Sequence, residues 1–473
     1  MKFTVEQERI IDHVLNNPKV PDEHGNITLV PAGAGCGKTF ISGQIVSQLN
    51  PTKGLYTAFN KAIIEEGAEK FRNYNMECKT FHALAYRYVQ PKGNLRELSY
   101  NDITEDVSYK DKATVIEVIG LFFVSDSVDM YDFFDKYFDD NDECLYDMAI
   151  KYVELMVNKQ LPMSFNFLLK YFHLMLVEGI KCEYDIVILD EINDVTAVQL
   201  EIFKYIKSPI KLGLGESNQA IYKFLNLKDG FVELPTAIQL PLTNSFRCSH
   251  KIADDIQKFM RTHVSLDFTF TGTPEPVKNG DTLYVTMTNA AIIHKIKHCL
   301  SVNKGFTLLR KISEIFAYPL AIMSASSGKE VYQYKYKFLE KEYAKYVKNY
   351  TRRMSFFAYL LQEVGDQETE SAISLLSTLA SSNTNIFELY KKAKEAKTDP
   401  KLIISTVFTA KGLEMETVHI NDDLNNAVTR VIDAGGVQSE EDLVVMRCYY
   451  VACSRAGTNL HNAEHLKIPD TEY

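Results

Sequence analysis

The fold class of this chain is indicated first by one loop sequence, Val30-Pro31-Ala32-Gly33-Ala34-Gly35-Cys36-Gly37-Lys38-Thr39. It follows an apolar run, Ile27 to Val30, that predicts a buried strand, and it leads into a helical pattern. Small residues let backbone N–H groups wrap a phosphate, while Lys38 can reach the outer phosphates and Thr39 can hold Mg²⁺. The alternative, a glycine turn that ends in Lys-Thr by chance, is disfavoured by the strand–loop–helix context. The stretch predicts a phosphate-binding loop.

A second half of the same site is predicted where the apolar run Ile186 to Leu189 ends in Asp190-Glu191. In this pattern the aspartate orders Mg²⁺ and the glutamate activates the attacking water. An Asp-Glu pair after a strand is also common in solvated loops, so the pair gains its meaning from Lys38 and Thr39. Together the two stretches predict hydrolysis of a nucleoside triphosphate.

Strands that alternate with helices predict the fold class, an α/β protein with parallel sheets. The predicted strands are 27–30, 54–58, 186–189, 211–214 and 238–240, then 282–287, 402–407 and 417–420. Helix-rich stretches at about 91–175 and 305–398 interrupt the two groups. Phosphate chemistry then belongs at the carboxyl ends of the strands.

Composition fits a folded protein that works away from membranes. Apolar residues make up 46% and charged residues 24% of the 473. No apolar run approaches the roughly 18 residues that a membrane span needs. The eight cysteines lack zinc-site spacing and predict reduced, mostly buried thiols. We expect the protein in the cytosol, or in the nucleus of a eukaryotic cell.

The net charge of −10 does not exclude nucleic acid as a partner, because much of it is local. Residues 126–147 hold nine acidic residues and one lysine. Most such runs are solvated faces, and a docking site for a basic partner is the alternative. Residues 329–353 instead interleave lysines with tyrosines. That segment predicts a solvated helix with a tyrosine-lined core face, or else a surface that grips duplex DNA.

Several further stretches occur in the order known from one family of motors. They are 56–62 (YTAFNKA), 80–85 (TFHALA), 190–194 (DEIND), 215–224 (GESNQAIYKF), 244–247 (NSFR), 406–414 (TVFTAKGLE) and 450–456 (YVACSRA). With the phosphate loop, this series resembles the UvrD/Rep/PcrA group of superfamily 1A DNA helicases, and most closely its F-box DNA helicase branch. Gln7 lies so near the start that we expect no F-box.

The resemblance implies an ATP-dependent DNA helicase with two RecA-like motor domains, each with a helical insertion. Motor domain 1A would comprise 1–90 and 176–243, with accessory insertion 1B at 91–175. Motor domain 2A would comprise 244–304 and 399–473, with accessory insertion 2B at 305–398. The implied cofactors are ATP and Mg²⁺. The implied partners are single-stranded DNA, its junctions with duplex and a replication or recombination protein, and we expect a monomer.

Roles at the nucleotide come with the resemblance. The catalytic set would be Lys38, Asp190, Glu191, Gln219, Arg247 and Arg455, and Mg²⁺ would be held by Thr39 and Asp190. Gln7, Phe246, Gly412 and Glu414 would contact the nucleotide together with the phosphate loop. A guanidinium that reaches the γ-phosphate across a cleft stabilises the charge that builds as the phosphate leaves. A core position for Phe246 is the alternative.

DNA contacts are expected from aromatic and hydroxyl side chains. The set is Phe59, Asn60, Thr80, His82, Tyr222, Phe224 and Thr409. Aromatic rings can stack on bases, and hydroxyls can bind the DNA backbone without reading sequence. For His82 and the aromatics, burial in the core is the alternative.

Some positions depart from the family pattern. Asn193 replaces a glutamine, Glu216 an aspartate and Leu225 an arginine, and Val445 lies where relatives place a glutamate near the ribose. Movement 3′→5′ on single-stranded DNA, with unwinding of duplex in replication, repair or recombination, is implied by the resemblance alone. The alternative function is a translocating recombination regulator that displaces proteins and unwinds little.

Overall fold

The computed structural model describes residues 3–16, 26–58, 61–137, 143–222, 227–351 and 353–467. The chain divides into two compact units, Met1–Thr243 and Asn244–Tyr473. Each unit has its own parallel sheet and its own helices. The predicted α/β class with two parallel sheets is therefore confirmed.

The first unit contains six strands and ten helices among its described residues. The strands are β1 (Asn26–Pro31), β2 (Gly54–Ala58), β3 (Met76–Cys78), β4 (Ile186–Asp190), β5 (Ile210–Gly215) and β6 (Ile238–Gln239). The helices are α1 (Val5–Asn16), α2 (Lys38–Leu49), α3 (Lys61–Lys70), α4 (Phe81–Val89), α5 (Tyr109–Val124), α6 (Met130–Tyr137), α7 (Glu143–Val157), α8 (Phe165–Val177), α9 (Ala197–Tyr205) and α10 (Gly230–Glu233).

The sheet of the first unit places four functional stretches side by side. Its strand order is β3-β2-β4-β5-β1-β6, and all pairs are parallel. Pro31 pairs with Gly215, Leu214 with Asp190 and Asp190 with Ala58. The carboxyl ends of β1, β5, β4 and β2 therefore meet at one edge, where polar loops can converge on a phosphate.

The helical stretch α5–α8 shares a hydrophobic core with this sheet. Phe122, Phe167 and Phe172 are buried in the same cluster as Leu55 and Leu189 of the strands. Burial of such rings stabilises a fold by about 1.5–3 kcal/mol per side chain. The stretch is thus packed onto the sheet rather than attached by a linker.

The second unit contains seven strands and eleven helices among its described residues. The strands are β7 (Asn244–Ser249), β8 (Thr271–Thr273), β9 (Thr282–Thr286), β10 (Thr307–Leu308), β11 (Leu402–Thr406), β12 (Met415–Ile420) and β13 (Ala456–His461). The helices are α11 (His250–His263), α12 (Asn289–Ser301), α13 (Ile312–Ile315), α14 (Ala317–Ser326), α15 (Phe338–Asn349), α16 (Phe356–Glu363), α17 (Gln367–Ser381), α18 (Ile386–Lys394), α19 (Val407–Ala410), α20 (Asp422–Asp433) and α21 (Glu440–Cys453).

The second unit has one large and one small parallel sheet. The large sheet has the order β10-β11-β9-β12-β13, and β7 pairs with β8 in the small one. Helices α13–α18 share their core with the large sheet, since Leu339, Leu360 and Leu376 are buried in one cluster with Ile404. Strand β10 lies inside the stretch predicted as helix-rich, and it pairs with β11.

Two compositional predictions can be compared with the described residues. None of the eight cysteines, all of which the structure describes, forms a disulfide, and six of them are buried. Within the part of the chain that the structure describes, no helix combines the length and apolarity that membrane crossing requires. The prediction of reduced, mostly buried thiols is therefore confirmed.

Candidate functional site

The phosphate-binding loop lies between β1 and α2 and is anchored at its base. The Ala32 N–H donates to the Gly215 carbonyl (2.8 Å) and the Gly33 N–H to the Leu242 carbonyl (3.0 Å). Gly35 and Gly37 adopt φ values of 70° and 88°, which favour glycine. Helix α2 begins at Lys38 with no side chain capping its N-terminus. An uncapped N-terminus behind such a loop is suited to an anion.

Lys38 and Glu191 form an ion pair at the shared edge of the sheet. The Lys38 Nζ lies 2.6 Å from the Glu191 Oε1, and both side chains are largely buried. Glu191 has a φ of 55°, a left-handed conformation that non-glycine residues rarely adopt. Strained backbone of this kind concentrates at functional sites and costs about 1–3 kcal/mol. The structure thus brings together Lys38, predicted to reach the outer phosphates, and Glu191, predicted to activate the attacking water.

Asp190 ends β4 with both carboxylate oxygens occupied. Its Oδ1 accepts the Glu191 N–H (2.9 Å), and its Oδ2 accepts the Tyr56 hydroxyl (2.6 Å). Burial raises the pKa of Asp190, and the Lys38 charge opposes that rise. A buried carboxylate at the end of a strand can serve as a ligand for a cation, because a nearby positive charge favours the ionised form of the carboxylate.

The loop after β5 carries Gln219, whose amide contacts the Glu216 carboxylate. Asn193 joins this loop to the Asp190 loop, since its Oδ1 accepts the Glu216 N–H (2.8 Å). A Cβ at Gly215 would collide with the Asn193 side chain, so the close approach requires glycine. The departures Asn193 and Glu216 therefore form a connected pair between the two loops.

The oxygen donors at this edge fit Mg²⁺. A threonine hydroxyl and a carboxylate, here Thr39 and Asp190, are ligands that Mg²⁺ prefers, with nucleotide phosphates and water completing its shell. Across the described ranges, no group of three or more His, Cys, Asp or Glu side chains could hold a metal ion. The donor set suits a cation that arrives with a nucleotide.

Gln7 is buried and contributes to the start of α1. The Thr4 N–H donates to the Gln7 Oε1 (3.1 Å), and the Gln7 N–H donates to the Thr4 Oγ1 (3.2 Å). This reciprocal pair is a capping box, which satisfies two helix donors. The capping box fixes the Gln7 side chain at the start of α1. Contact of Gln7 with adenine stays a prediction.

Arg247 of the second unit is held by Glu414 and by a backbone carbonyl. Its Nη2 and Nε lie 2.7 and 3.1 Å from the Glu414 Oε1, and its Nη1 donates to the Ser454 carbonyl (3.0 Å). Arg247 is buried, whereas the Glu414 side chain is 51% exposed. The unit thus assembles residues from three of the sequence motifs around one guanidinium.

Arg455 is the neighbour of that carbonyl and is 1% exposed. Its Nε donates to the Val451 carbonyl (3.0 Å) and its Nη1 to the Leu413 carbonyl (3.4 Å). Gly412, with a φ of 93° and open space beside it, precedes Leu413. Arg455 therefore ties the end of α21 to the loop after α19.

Phe246 and Thr409 lie at the surface or partly buried. Phe246 is 48% exposed on β7, so the alternative of a core phenylalanine is wrong. Strand alternation explains the difference, because the next residue, Arg247, points to the buried side. The Thr409 hydroxyl lies 3.2 Å from that of Thr406.

The candidate DNA residues of the first unit have mixed environments. Thr80 caps α4 by accepting the Ala83 N–H (3.2 Å). Burial lowers the pKa of His82, and its hydrogen bond to Asn166 opposes that shift. Tyr222 is partly buried. Phe59, Asn60, Phe224 and Leu225 lie outside the described residues.

The two charged segments show which of their faces are solvated. Asp126, Asp129, Asp132 and Asp135 are all exposed, while Phe133 of α6 is buried. The described part of the acidic run is therefore a solvated face, and docking of a basic partner stays a prediction. In the second segment Tyr336 and Tyr346 are buried. The lysines of α15 and its start, Lys337, Lys341, Lys345 and Lys348, are exposed. The tyrosine-lined core face is therefore confirmed as well.

Two protein-family models match the chain. The model of the AAA domain matches residues 21–225, and that of the UvrD-like helicase C-terminal domain matches residues 125–463. The second match covers most of the chain. The chain belongs to the UvrD-like helicase family. Parallel sheets of six and five strands are typical of the tandem RecA-like domains of such helicases.

Curated relatives of this UvrD-like chain are similar over parts of its length. F-box DNA helicase 1 of Gallus gallus is 38% identical over 89 residues, 19% of this chain and 8% of that protein. F-box DNA helicase protein 1 of Schizosaccharomyces pombe is 25% identical over 287 residues, 53% of this chain and 32% of that protein. The chain thus spans a third or less of the length of these relatives.

One solved structure is similar at a low level. The crystal structure of arterivirus nonstructural protein 10 (helicase) gives a TM-score of 0.34 at 9% identity, over 93% of this chain and 62% of that one. This similarity is too low to bear on the UvrD-like assignment.

Sequence reasoning missed one polar partner of a predicted site residue in each unit of this UvrD-like chain. Tyr56 is the first residue of the 56–62 motif, and the motif predicts no role for it, yet its hydroxyl donates to Asp190. The Ser454 carbonyl, which accepts from Arg247, is a backbone atom that no residue type reveals. A tyrosine in a strand otherwise built for burial was the available signal for the first.

Proposed function

We propose that this protein is an ATP-driven motor that moves 3′→5′ along single-stranded DNA and unwinds duplex in replication, repair or recombination. The observation that carries the proposal is the Lys38–Glu191 pair at the sheet edge where β1 and β4 end, in a UvrD-like chain. A triphosphate can replace Glu191 as the partner of Lys38, which leaves the Glu191 carboxylate for water.

Each residue then has a chemical task. The N-terminus of α2 and Lys38 bind the phosphates, and Glu191 orients the attacking water and accepts its proton. Thr39 and Asp190 would hold Mg²⁺, which when bound neutralises charge on the phosphates. Gln7 and Phe246 would contact adenine, and Gly412 and Glu414 the rest of the nucleotide.

Arg247 and Arg455 are proposed to stabilise the transferring phosphoryl group. Because the Glu414 carboxylate is half exposed, water can hydrate it when the Arg247 guanidinium leaves the ion pair to bind a phosphate. Such an exchange would make hydrolysis depend on the position of the second unit, which couples chemistry to movement.

DNA is proposed to bind through Phe59, Asn60, Thr80, His82, Tyr222, Phe224 and Thr409. Stacked aromatics contribute about 1–3 kcal/mol per base, and hydroxyls bind the backbone. We further propose the domain division 1A, 1B, 2A and 2B given above, a monomer, a replication or recombination partner, and action in the cytoplasm or nucleus.

Unwinding of tailed duplexes tests the proposal. We expect ATP-dependent strand separation with 3′ tails, little with 5′ tails, and none after Lys38→Ala, because the phosphates lose their cation. A fluorescence-quenched duplex reports the rate. A preference for 5′ tails would overturn the polarity. Translocation on 3′ tails that strips bound protein without separating strands would instead favour the recombination regulator.

A further inference from the structure

The hydroxyl of Tyr56 is the hydrogen-bond partner of Asp190 that comes from another element. Tyr56 is 1% exposed on β2, and its hydroxyl donates to the Asp190 Oδ2 over 2.6 Å. A phenol has a single O–H donor, and in Tyr56 that donor is directed at this carboxylate oxygen. Together with the Glu191 N–H on Oδ1, the bond therefore fixes how the plane of the Asp190 carboxylate is turned.

Helix α3 holds the Tyr56 ring in place. The ring lies 5.2 Å from that of Phe71, centroid to centroid, just beyond the end of the helix. A Cβ at Gly67 of α3 would collide with the Tyr56 ring, so this glycine permits the close approach. The position of α3 therefore determines where the Tyr56 hydroxyl can lie.

Lys70 of α3 lies close to α2, the helix that follows the phosphate loop. Burial lowers the pKa of Lys70 to about 8, and the charges of Asp190 and Glu66 oppose that shift. A Cβ on Gly43 of α2 would lie 3.4 Å from the Lys70 Nζ, so the ammonium also approaches the helix that follows the phosphate loop. Helix α3 is thus positioned against both Tyr56 of β2 and Gly43 of α2.

We propose that Tyr56 is a positioning residue for the Mg²⁺ ligand Asp190 and that it transmits the position of α3 to the metal. The inference rests on the proposed function, because it assigns a control element to the same nucleotide site. The segment between β2 and α3 contains Phe59 and Asn60, the proposed DNA contacts. A shift of α3 would move the Tyr56 ring and so change how Asp190 presents its carboxylate oxygens.

The expected size of the effect follows from outer-shell partners of metal ligands. Loss of such a partner typically weakens metal affinity 10–100-fold, because the ligand is no longer held in the binding orientation. Removing the Tyr56 hydroxyl also leaves a buried carboxylate oxygen without its donor, which favours rotation of the side chain. The loss should appear in metal binding more than in nucleotide binding.

The test compares nucleotide affinity with and without metal. The probe is a fluorescent ADP, titrated into the full chain in Mg²⁺ and again in EDTA. The readout is the Kd in EDTA divided by the Kd in Mg²⁺, a ratio that rises with the contribution of the metal to binding. In Tyr56→Phe, which keeps the ring against Phe71, we expect the ratio to fall about tenfold. The Kd measured in EDTA should match that of the wild type.

A matched control is available in the same unit. Tyr152 of α7 is also 1% exposed, and its hydroxyl donates to the Glu105 Oε2 over 2.5 Å. Tyr152→Phe removes the same kind of bond away from the nucleotide edge, so its Kd ratio should equal that of the wild type. A fall of equal size in Tyr152→Phe would show general loosening of the unit and overturn the inference.

A second variant keeps the hydroxyl and moves the ring. Gly67→Ala places a methyl against Tyr56, and we expect the same loss of the metal-dependent increment if the variant folds with normal circular dichroism. A wild-type protein that binds no nucleotide would refute the proposed function. A wild-type protein that binds normally, with Tyr56→Phe retaining its full Mg²⁺ increment, would refute the Tyr56 inference alone.

Discussion

Replacing Arg247 with alanine is expected to lower kcat for DNA-stimulated ATP hydrolysis by about 10³-fold. A guanidinium supplied to a transferring phosphoryl group contributes about 10³–10⁵-fold, since it neutralises charge that appears only as the phosphate leaves. Nucleotide affinity should change much less, because the bound nucleotide has not yet developed the charge that appears in the transition state. Steady-state hydrolysis and binding of fluorescent ADP measure the two effects.

The local structure allows this change to be interpreted. Without Arg247, the Glu414 carboxylate is half exposed and can be hydrated, and the Ser454 carbonyl keeps the Cys248 thiol at 3.7 Å. Arg310→Ala removes an exposed arginine that pairs with Glu314, and it should leave kcat unchanged. An Arg247→Ala protein that is folded and hydrolyses ATP at the wild-type rate would contradict the role of this guanidinium.

Replacing Glu191 with glutamine is expected to lower kcat by about 10²–10⁴-fold, because the amide cannot accept the proton of the attacking water. The same change should tighten ATP binding about fivefold. Lys38 then has no carboxylate at 2.6 Å to leave before it binds a phosphate. The net stabilisation by such a largely buried pair is small because desolvation offsets the attraction, and about 1 kcal/mol corresponds to about fivefold in Kd. Single-turnover hydrolysis and equilibrium binding measure the two effects separately.

The matched control is the pair formed by Lys204 and Glu201 on α9. It has the same 2.6 Å separation in the same unit but lies away from the phosphate loop. Glu201→Gln should change neither kcat nor ATP affinity. Were Glu191→Gln to bind ATP more weakly than the wild type, the ion pair with Lys38 would not compete with the nucleotide.

The sheets could be predicted where strands are buried on both faces. The runs at β2 and β4 are continuous and apolar, and the predicted range 54–58 equals the observed β2. Strands β3, β8 and β10 were missed because two or three residues carry no period. Strand β13 was missed because Asn459 and His461 are exposed, which breaks the apolar run.

The site could be predicted as a set of residues but not as a set of contacts. Motif spacing indicated Lys38 and Glu191, whereas their ion pair depends on β5 lying between β1 and β4. Asn193 stood out as a departure, and only the fold shows that it receives the Glu216 N–H. Long-range hydrogen bonds depend on strand order, and strand order cannot be read from the local patterns of a single sequence.

The most direct test of the motor account is the rate of ATP hydrolysis with and without single-stranded DNA. A motor requires DNA to complete its cycle, so we expect strong stimulation by a long oligothymidylate and none in Lys38→Ala. A hydrolysis rate that is the same with and without DNA, in protein that binds both ligands, would contradict the account and indicate a nucleotide switch.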